Sequence, residues 1–491
     1  MNLRANSLSM SRRRFLRMLP PLALLLALSG CGGGSDSGTT SSSDIGTLAY
    51  VTTECRDTAE GFLEHQTLHI LHGDRDVTVM ETPGVGPVTG VGMRCRAFSL
   101  ERYGDDSITR GAFQGVAVSA DGAMVVFEIS DDFSTNPPLP LHLPPEQKGI
   151  FLVRADGSDL RPLGLPSRVP FFRFDNSGTL FPQGSFGFSP DGRLITFADM
   201  GPDATGSAAG QVFTLDVGSG LRRQVTHLPP AIPPADRPLD SPSVEHPVFV
   251  DTQTIGFYTF ANPDGLNLKG AVVALTVRSD GSKEPEAAPL PVTVPDSQIV
   301  STFVITGDKP AALTLRLPVQ AKNGRPGDQV LEIFAIDGSN LLQLTNFQRV
   351  DTFDPTLGVD RQTVFFDASA DPFGTNPSET CQIFSVDRLG SHLRQLTQLS
   401  AVPHATNGCF FSGPPGCAAG MIGQDSRTGV LIFYSSCDPL GTNPHGEQVF
   451  AMHPDGSDLR QLTHTQGLVI HPGVEVIGEL PGPIAYGPYA L

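Results

Sequence analysis

The sequence predicts an all-β fold assembled from a tandem array of about seven four-stranded units. Three observations carry that expectation. First, one phrase recurs: DGSDLRQLT starts at Asp455, DGSNLLQLT at Asp337 and DGSDLRPL at Asp156, with looser copies LGSHLRQLT from Leu389 and GSGLRRQVT from Gly218. Copies spaced along the chain in this way mean equivalent supersecondary units, which bury a core only by packing on their neighbours. Second, Gly (53) and Pro (43) are abundant and helical periodicity is scarce, so many short β runs lie between turn signals. Third, 491 residues are ample for a large core.

The chain opens on an address. Residues 11–17 read SRRRFLR, which resembles the twin-arginine export pattern, and a short apolar stretch over 19–28 follows, interrupted by Pro20 and Pro21. It is too short for a stable bilayer anchor and reads as the core of a signal peptide over 1–30. Leu28-Ser29-Gly30-Cys31 resembles the lipobox of bacterial lipoproteins, and the resemblance implies cleavage before Cys31 and acylation of its thiol. Gly32, in place of an aspartate, then favours the outer membrane over the inner one. Residues 31–46, small and polar, read as a flexible tether with a root-mean-square reach of about 20 Å. The repeat array takes 47–491.

Within the array the strands can be read unit by unit. The last unit gives VLIFYS (430–435), a loop, QVFAM (448–452), the turn HPDGS and LRQLT (459–463). The one before gives 362–367, a loop, 382–386 and 393–397. An earlier one gives 186–189, the turn SPDG, 194–197, 211–215 and 222–226. Each unit is therefore strand a, a PDG-like turn, b, a long loop, c, a DGS-like turn, and d. Asp-Gly suits these turns because glycine reaches positive φ and aspartate bonds its own backbone. The pattern resembles the TolB-type β-propeller family, with SPDG before strand b and DG before an LT-ending strand d. It is close at Ser189 to Gly192 and Asp455 to Thr463, and degraded at 251–254 and 307–310. The resemblance implies a β-propeller, with blades as small antiparallel sheets around an axis.

Strand d is counted seven times, at 77–81, 160–163, 221–226, 290–294, 341–345, 393–397 and 459–463. Seven blades follow, with six or eight as the neighbouring counts. The first blade lacks a strand a upstream of 48–52. Residues 474–477 could supply it and close the ring by pairing the two chain ends, removing exposed sheet edges.

The net charge is −18, and beyond the signal peptide no basic cluster offsets it, so the chain is a poor candidate for nucleic acid, while cationic partners or divalent ions are compatible. Besides Cys31 there are Cys55, Cys95, Cys381, Cys409, Cys417 and Cys437, an even number that suits disulfides in an exported chain. Proximity in sequence suggests Cys55 with Cys95 and Cys409 with Cys417, leaving Cys381 with Cys437, although six cysteines allow fifteen pairings. No spacing matches a zinc site.

Antiparallel topology puts the a–b and c–d turns on one face and the b–c loops and d–a crossings on the other. Nearly all length variation falls in the second set: b–c loops at 131–148, 199–210, 262–269, 371–380 and 438–447, and crossings at 82–111, 228–245 and 399–421. Binding function concentrates on such loops. Their repeated motif is DPFGTNP from Asp371, DPLGTNP from Asp438 and DDFSTNPP from Asp131. It nominates Asp131, Asn136, Asp371, Asn376, Asp438 and Asn443 as binding-face residues. The plain reading is a family of hairpin turns; the sharper one is Ca²⁺ on the oxygens of Asp371, Asn376, Asp438 and Asn443. His65, His69 and His72 cluster, but on a strand His72 faces away from the other two, which spoils a metal site.

No G-x-S-x-G, HExxH, phosphate loop or CxxC occurs, and acid pairs such as Asp105-Asp106 are too common in loops to nominate as catalytic. The function expected is therefore that of an exported, acylated, monomeric propeller that binds an envelope protein or cell-wall partner without catalysis, at the outer membrane or cell surface. The alternatives are a propeller hydrolase or lyase on an extracellular polymer, and a calcium-stabilised polysaccharide binder.

Overall fold

The computed structural model describes residues 45–58, 61–82, 113–130, 145–166, 187–230, 244–259, 273–287, 299–306, 309–322, 326–337, 340–401, 408–409, 417–443, 446–470 and 476–487. Residues 41–491 form one compact unit. Its described strands make seven small antiparallel sheets, each running a–b–c–d outward: a seven-bladed β-propeller.

Blade two consists of Phe113–Val118, Met124–Ile129, Gly149–Arg154 and Arg161–Gly164. Blade three has Gly187–Phe188, Leu194–Pro202, Ala208–Asp216 and Arg222–Gln224, and blade four Val244–Phe249, Thr254–Thr259, Val273–Arg278 and Glu286–Ala287. Blade five has Ile299–Thr306, Lys309–Gln320, Gln329–Asp337 and Asn340–Gln343; blade six, Thr352–Leu357, Thr363–Ala368, Gln382–Asp387 and Arg394–Gln395. Blade seven has Ala419–Gln424, Leu431–Ser435, Gln448–Met452 and Arg460–Gln461.

Blade one closes the ring. Its strand a is Val476–Gly487, from the far end of the chain, paired with Thr47–Thr58; Gly61–His72 and Arg75–Glu81 follow outward. Closure by the chain ends is as expected, but the closing strand starts at Val476 and extends ten residues beyond the expected 474–477. A further strand, Gly467–Ile470, pairs with its beginning. The described strand d of blade four is Glu286–Ala287, and the expected 290–294 lies outside the described residues. One other boundary moved. Most of the loop expected at 199–210 is strand, because Asp203 Oδ1 accepts the N–H groups of Thr205 and Ser207, both at 2.8 Å, and closes a tight turn.

The core lies between blades. One apolar cluster joins blades one and two, and similar clusters join two with three, three with four, five with six, six with seven, and seven with one. Stacked phenylalanines on paired strands b and c recur at one level: Phe127 on Phe151, Phe197 on Phe213, Phe366 on Phe384 and Phe433 on Phe450, with centroids 5.4 to 5.9 Å apart. Each ring is large enough to fill an inter-blade gap, which a closed ring of sheets leaves at every junction.

Strand d is shorter than its sequence signature. The Thr of LT leaves the backbone ladder and its hydroxyl substitutes: Thr397 Oγ1 accepts the Ile383 N–H (2.9 Å) and Thr463 Oγ1 that of Val449 (2.8 Å). The same hydroxyl donates to a buried glutamine at the start of strand c, Gln382 or Gln448, at 2.8 Å. Thr226 and Gln211 repeat the arrangement in blade three. In blade five Glu332 stands in for the glutamine and takes Thr345 Oγ1 at 2.6 Å; burial pushes its carboxyl above the usual range.

Candidate functional site

The two faces of the ring are built differently. On the turn face, Asp156 Oδ1 accepts Ser158 N–H (2.9 Å) and Oγ–H (2.6 Å), and Asp455 does the same with Ser457. These bonds hold both carboxyls below the usual range. Ser189 and Asp191 pair similarly at the SPDG turn, 2.7 Å apart. Gly157 and Gly456, with φ of 84° and 87°, supply the positive φ of their turns. These turn bonds are each made within a few residues.

On the loop face, the two DP-x-GTNP segments follow strand b of blades six and seven. Asp371 Oδ1 accepts the Asn376 N–H (2.8 Å), and Asp438 Oδ1 that of Asn443 (2.7 Å). Asn376 Nδ2 donates to the carbonyls of Ala370 (2.9 Å) and Thr380 (2.8 Å), while its Oδ1 accepts Thr380 Oγ1 (2.8 Å). Asn443 Nδ2 donates to the Cys437 carbonyl (3.0 Å) and to that of Gly446. Both asparagines are buried and spend their amides on building the loop. A cation at either loop would therefore draw on the aspartates. Asp131 and Asn136, the third copy, lie outside the described residues.

The loops are also tied to the repeated phrase. Thr375 Oγ1 donates to Gln395 Oε1 (3.1 Å) and Thr442 Oγ1 to Gln461 Oε1 (2.7 Å), and each glutamine donates onward to the carbonyl of its own LT threonine at 2.7 Å. Below them Gln382 accepts from Thr397 Oγ1 and the Leu399 N–H, both 2.8 Å, and donates to Thr380 Oγ1 (2.8 Å) and the Leu399 carbonyl (2.7 Å). A side-chain amide with all its capacity used inside protein fixes a loop base firmly.

Two disulfides complete the support, and they correct the expected pairing. Cys381 bonds Cys409 and Cys417 bonds Cys437, in place of Cys409 with Cys417 and Cys381 with Cys437. Each bridge joins the crossing between blades six and seven to one DP-x-GTNP loop: Cys381 begins strand c of blade six, and Cys437 immediately precedes Asp438. Proximity in sequence paired the two cysteines of one crossing, whereas the fold brings each beside a different blade. Cys95 lies outside the described residues, so its expected bond with Cys55 does too. Asp367, Cys381 and Cys409 have ligand atoms within 4.8 Å of one another, but the two sulfurs are bonded to each other, so the group is a disulfide beside a buried carboxylate.

Each stapled loop presents one large apolar side chain. Phe373 and Leu440, the variable residue of each DP-x-GTNP copy, are 49% and 43% exposed. Beside blade six the same face carries charge that the sequence did not single out. Arg349 pairs with Glu379, and half-buried Asp351 has its carboxyl pushed up to about 6, first by burial and then by Asp328, against the pull of Arg349 and a bond from Ser369. A shifted acid among charges on a loop face is the signal that marks functional regions. Two of the three histidines have structural partners: His69 stacks on Tyr50 with centroids 5.0 Å apart, and His72 Nδ1 lies 2.8 Å from Thr47 Oγ1. A cleft on this face between blades one and two, lined by Met80, Glu81, Thr82, Ile129 and Gln147, measures about 130 Å³. That is well under the ~300 Å³ at which small-molecule pockets begin.

The fold and this face together define a propeller in which, among the described residues, the loops of blades six and seven are reinforced by disulfides. No family model and no curated protein matches the chain. Solved structures with a similar fold include TolB from Acinetobacter baumannii, at 13% identity over 89% of this chain and 82% of that one, with a TM-score of 0.35. Oligogalacturonate lyase from Vibrio parahaemolyticus is similar at 10% identity over 87% and 91%, TM-score 0.39. Prolyl oligopeptidase B from Galerina marginata is similar at 10% over 86%, TM-score 0.40, and the chain spans about half of that protein (52%).

Proposed function

We propose that this protein is an exported lipoprotein, anchored through Cys31, that binds an envelope protein or cell-wall partner without catalysis through the loop face of blades six and seven. The single observation that carries the reading is the pair of equivalent loops, each held by a disulfide and a hydrogen-bonded glutamine at its base, each carrying an exposed apolar side chain. Rigid loops with apolar tips lose little conformational entropy on binding and supply the anchors that dominate interface energy. The two disulfides fit an oxidising compartment outside the cytoplasm.

The test is recovery of partners from crosslinked envelopes with wild type and with the double variant Phe373→Ser, Leu440→Ser. Partners captured by wild type should be lost from the variant while its melting temperature is unchanged. The same partners recovered at the same yield from both would remove the support for this face. Cys31→Ala should release the protein from the membrane fraction, and retention there would overturn the anchor.

A further inference from the structure

The disulfide between Cys381 and Cys409 stands beside a carboxylate, at the junction of blades six and seven. Cys381 Sγ lies 4.0 Å from Oδ2 of Asp367, on strand b of blade six. The same sulfur is 3.1 Å from the carbonyl oxygen of Ala419, which begins strand a of blade seven. Cys409 Sγ lies 3.6 Å from Ser369 Oγ. One ligand atom from each of Asp367, Cys381 and Cys409 falls within 4.8 Å of the other two. Asp367 and Cys381 are buried and Cys409 is partly exposed, so the group is approached from the Cys409 side. The bridge between Cys417 and Cys437 differs: among the described residues no acid or histidine joins it in a group of three.

We propose that Asp367, Cys381 and Cys409 form a Zn²⁺ site while the two cysteines are thiols, so that metal and disulfide exclude one another. A dithiol reductant gives two electrons and two protons to the bond between the sulfurs, and its own two thiols become a disulfide. The protein is left with two thiols, and Zn²⁺ displaces their two protons as both become thiolates. With Zn–S of about 2.3 Å and Zn–O of about 2.0 Å, one ion spans up to ~4.3 Å between a sulfur and an oxygen. The 4.0 Å between Asp367 Oδ2 and Cys381 Sγ falls inside that span. The two sulfurs stand about 3.8 Å apart on a tetrahedral ion, which rotation of the cysteine side chains reaches once their bond is broken. Ser369 Oγ, beside Cys409, is an oxygen available for the fourth position. Two soft thiolates suit Zn²⁺ and not Ca²⁺ or Mg²⁺, which take oxygen ligands. Every chain carries thiols before its disulfides form, so the metal-binding form comes first and oxidation releases the ion. No sequence spacing marks the site, because Cys381 is 14 residues from Asp367 and 28 from Cys409.

The test compares the full-length protein reduced anaerobically by a thiol-free phosphine with its air-oxidised form. Zinc retained after dialysis is measured by plasma mass spectrometry, and Co²⁺ in its place reports thiolate ligation through a near-ultraviolet charge-transfer band. The reduced form should hold one more Zn²⁺ per chain than the oxidised form and should alone show the cobalt band. Cys381→Ser with Cys409→Ser should abolish this binding, whereas Cys417→Ser with Cys437→Ser should leave it. Asp367→Asn keeps both thiols and should weaken Zn²⁺ by about ten-fold or more, at least what losing a ligand's supporting partner costs. The same variant guards against zinc held by the thiols of an unfolded chain, where a carboxylate 14 residues from Cys381 adds nothing. Equal affinity in Asp367→Asn and wild type would overturn the site. So would a reduced protein that takes up no zinc, or binding that survives the loss of Cys381 and Cys409.

Discussion

The repeated aspartate turns on one face of this ring and the stapled loops on the other achieve order by opposite means. At the turns, an aspartate binds the backbone and hydroxyl of a serine two residues away, in blade two as in blade seven. At the loops, Gln382 ties together residues up to 17 positions apart, and disulfides reach across 28 and 20 residues. A local device can be copied into every blade because it needs nothing from its surroundings. A long-range one needs a particular neighbour, so it accumulates where one sector is specialised.

That contrast can be broken in stages. Removing both bridges, Cys381→Ala with Cys409→Ala and Cys417→Ala with Cys437→Ala, should have the largest effect. Loops of this size predict about 3 kcal/mol for each bridge. Urea unfolding together with protease nicking in the crossing between blades six and seven reads it, and an unchanged midpoint would show that the bridges do not set loop order.

Next, Gln382→Ala should cost about 2 kcal/mol by leaving buried backbone and hydroxyl groups of blade six without partners. Asp455→Ala, at an exposed turn, should cost far less. Equal losses in the two variants by chemical denaturation would erase the distinction between the faces.

A separate effect is a pH dependence at the charged edge of the loop face. The folded pKa of Asp351, about 6, lies above the ordinary 3.8. The protonated form therefore favours the fold: its contribution is complete below about pH 4 and is lost as pH rises through about 6. Relative to Asp351→Asn, the wild type should lose on the order of 1 kcal/mol between pH 4 and pH 7. A constant difference between the two across that range would place the carboxyl in an ordinary environment.

Much of the frame was legible because it is local. PDG and DGS mark turns through backbone conformation and short side-chain bonds, and QVFAM is strand c of blade seven from its first residue to its last. Boundaries failed where a side chain replaced a backbone partner, as at Thr397 and Thr463, whose hydroxyls end strand d early. The loop at 199–210 was misjudged for a related reason: Asp203 compresses the turn to a few residues and leaves the rest free to pair.

By itself the sequence determined the repeat, the order of strands within a blade, the closure of the ring by its two ends and the location of the irregular loops. Each follows from periodicity, or from the φ and hydrogen-bonding habits of Asp, Gly, Ser and Thr. Only the tertiary structure decided the rest: which cysteine meets which, that Asn376 and Asn443 turn their amides inward, that Asp351 and Asp328 share a neighbourhood, and that Asp367 lies beside the Cys381 sulfur. Those depend on contacts between residues distant in the chain. Periodicity says that two blades are neighbours, but not which of their atoms will touch.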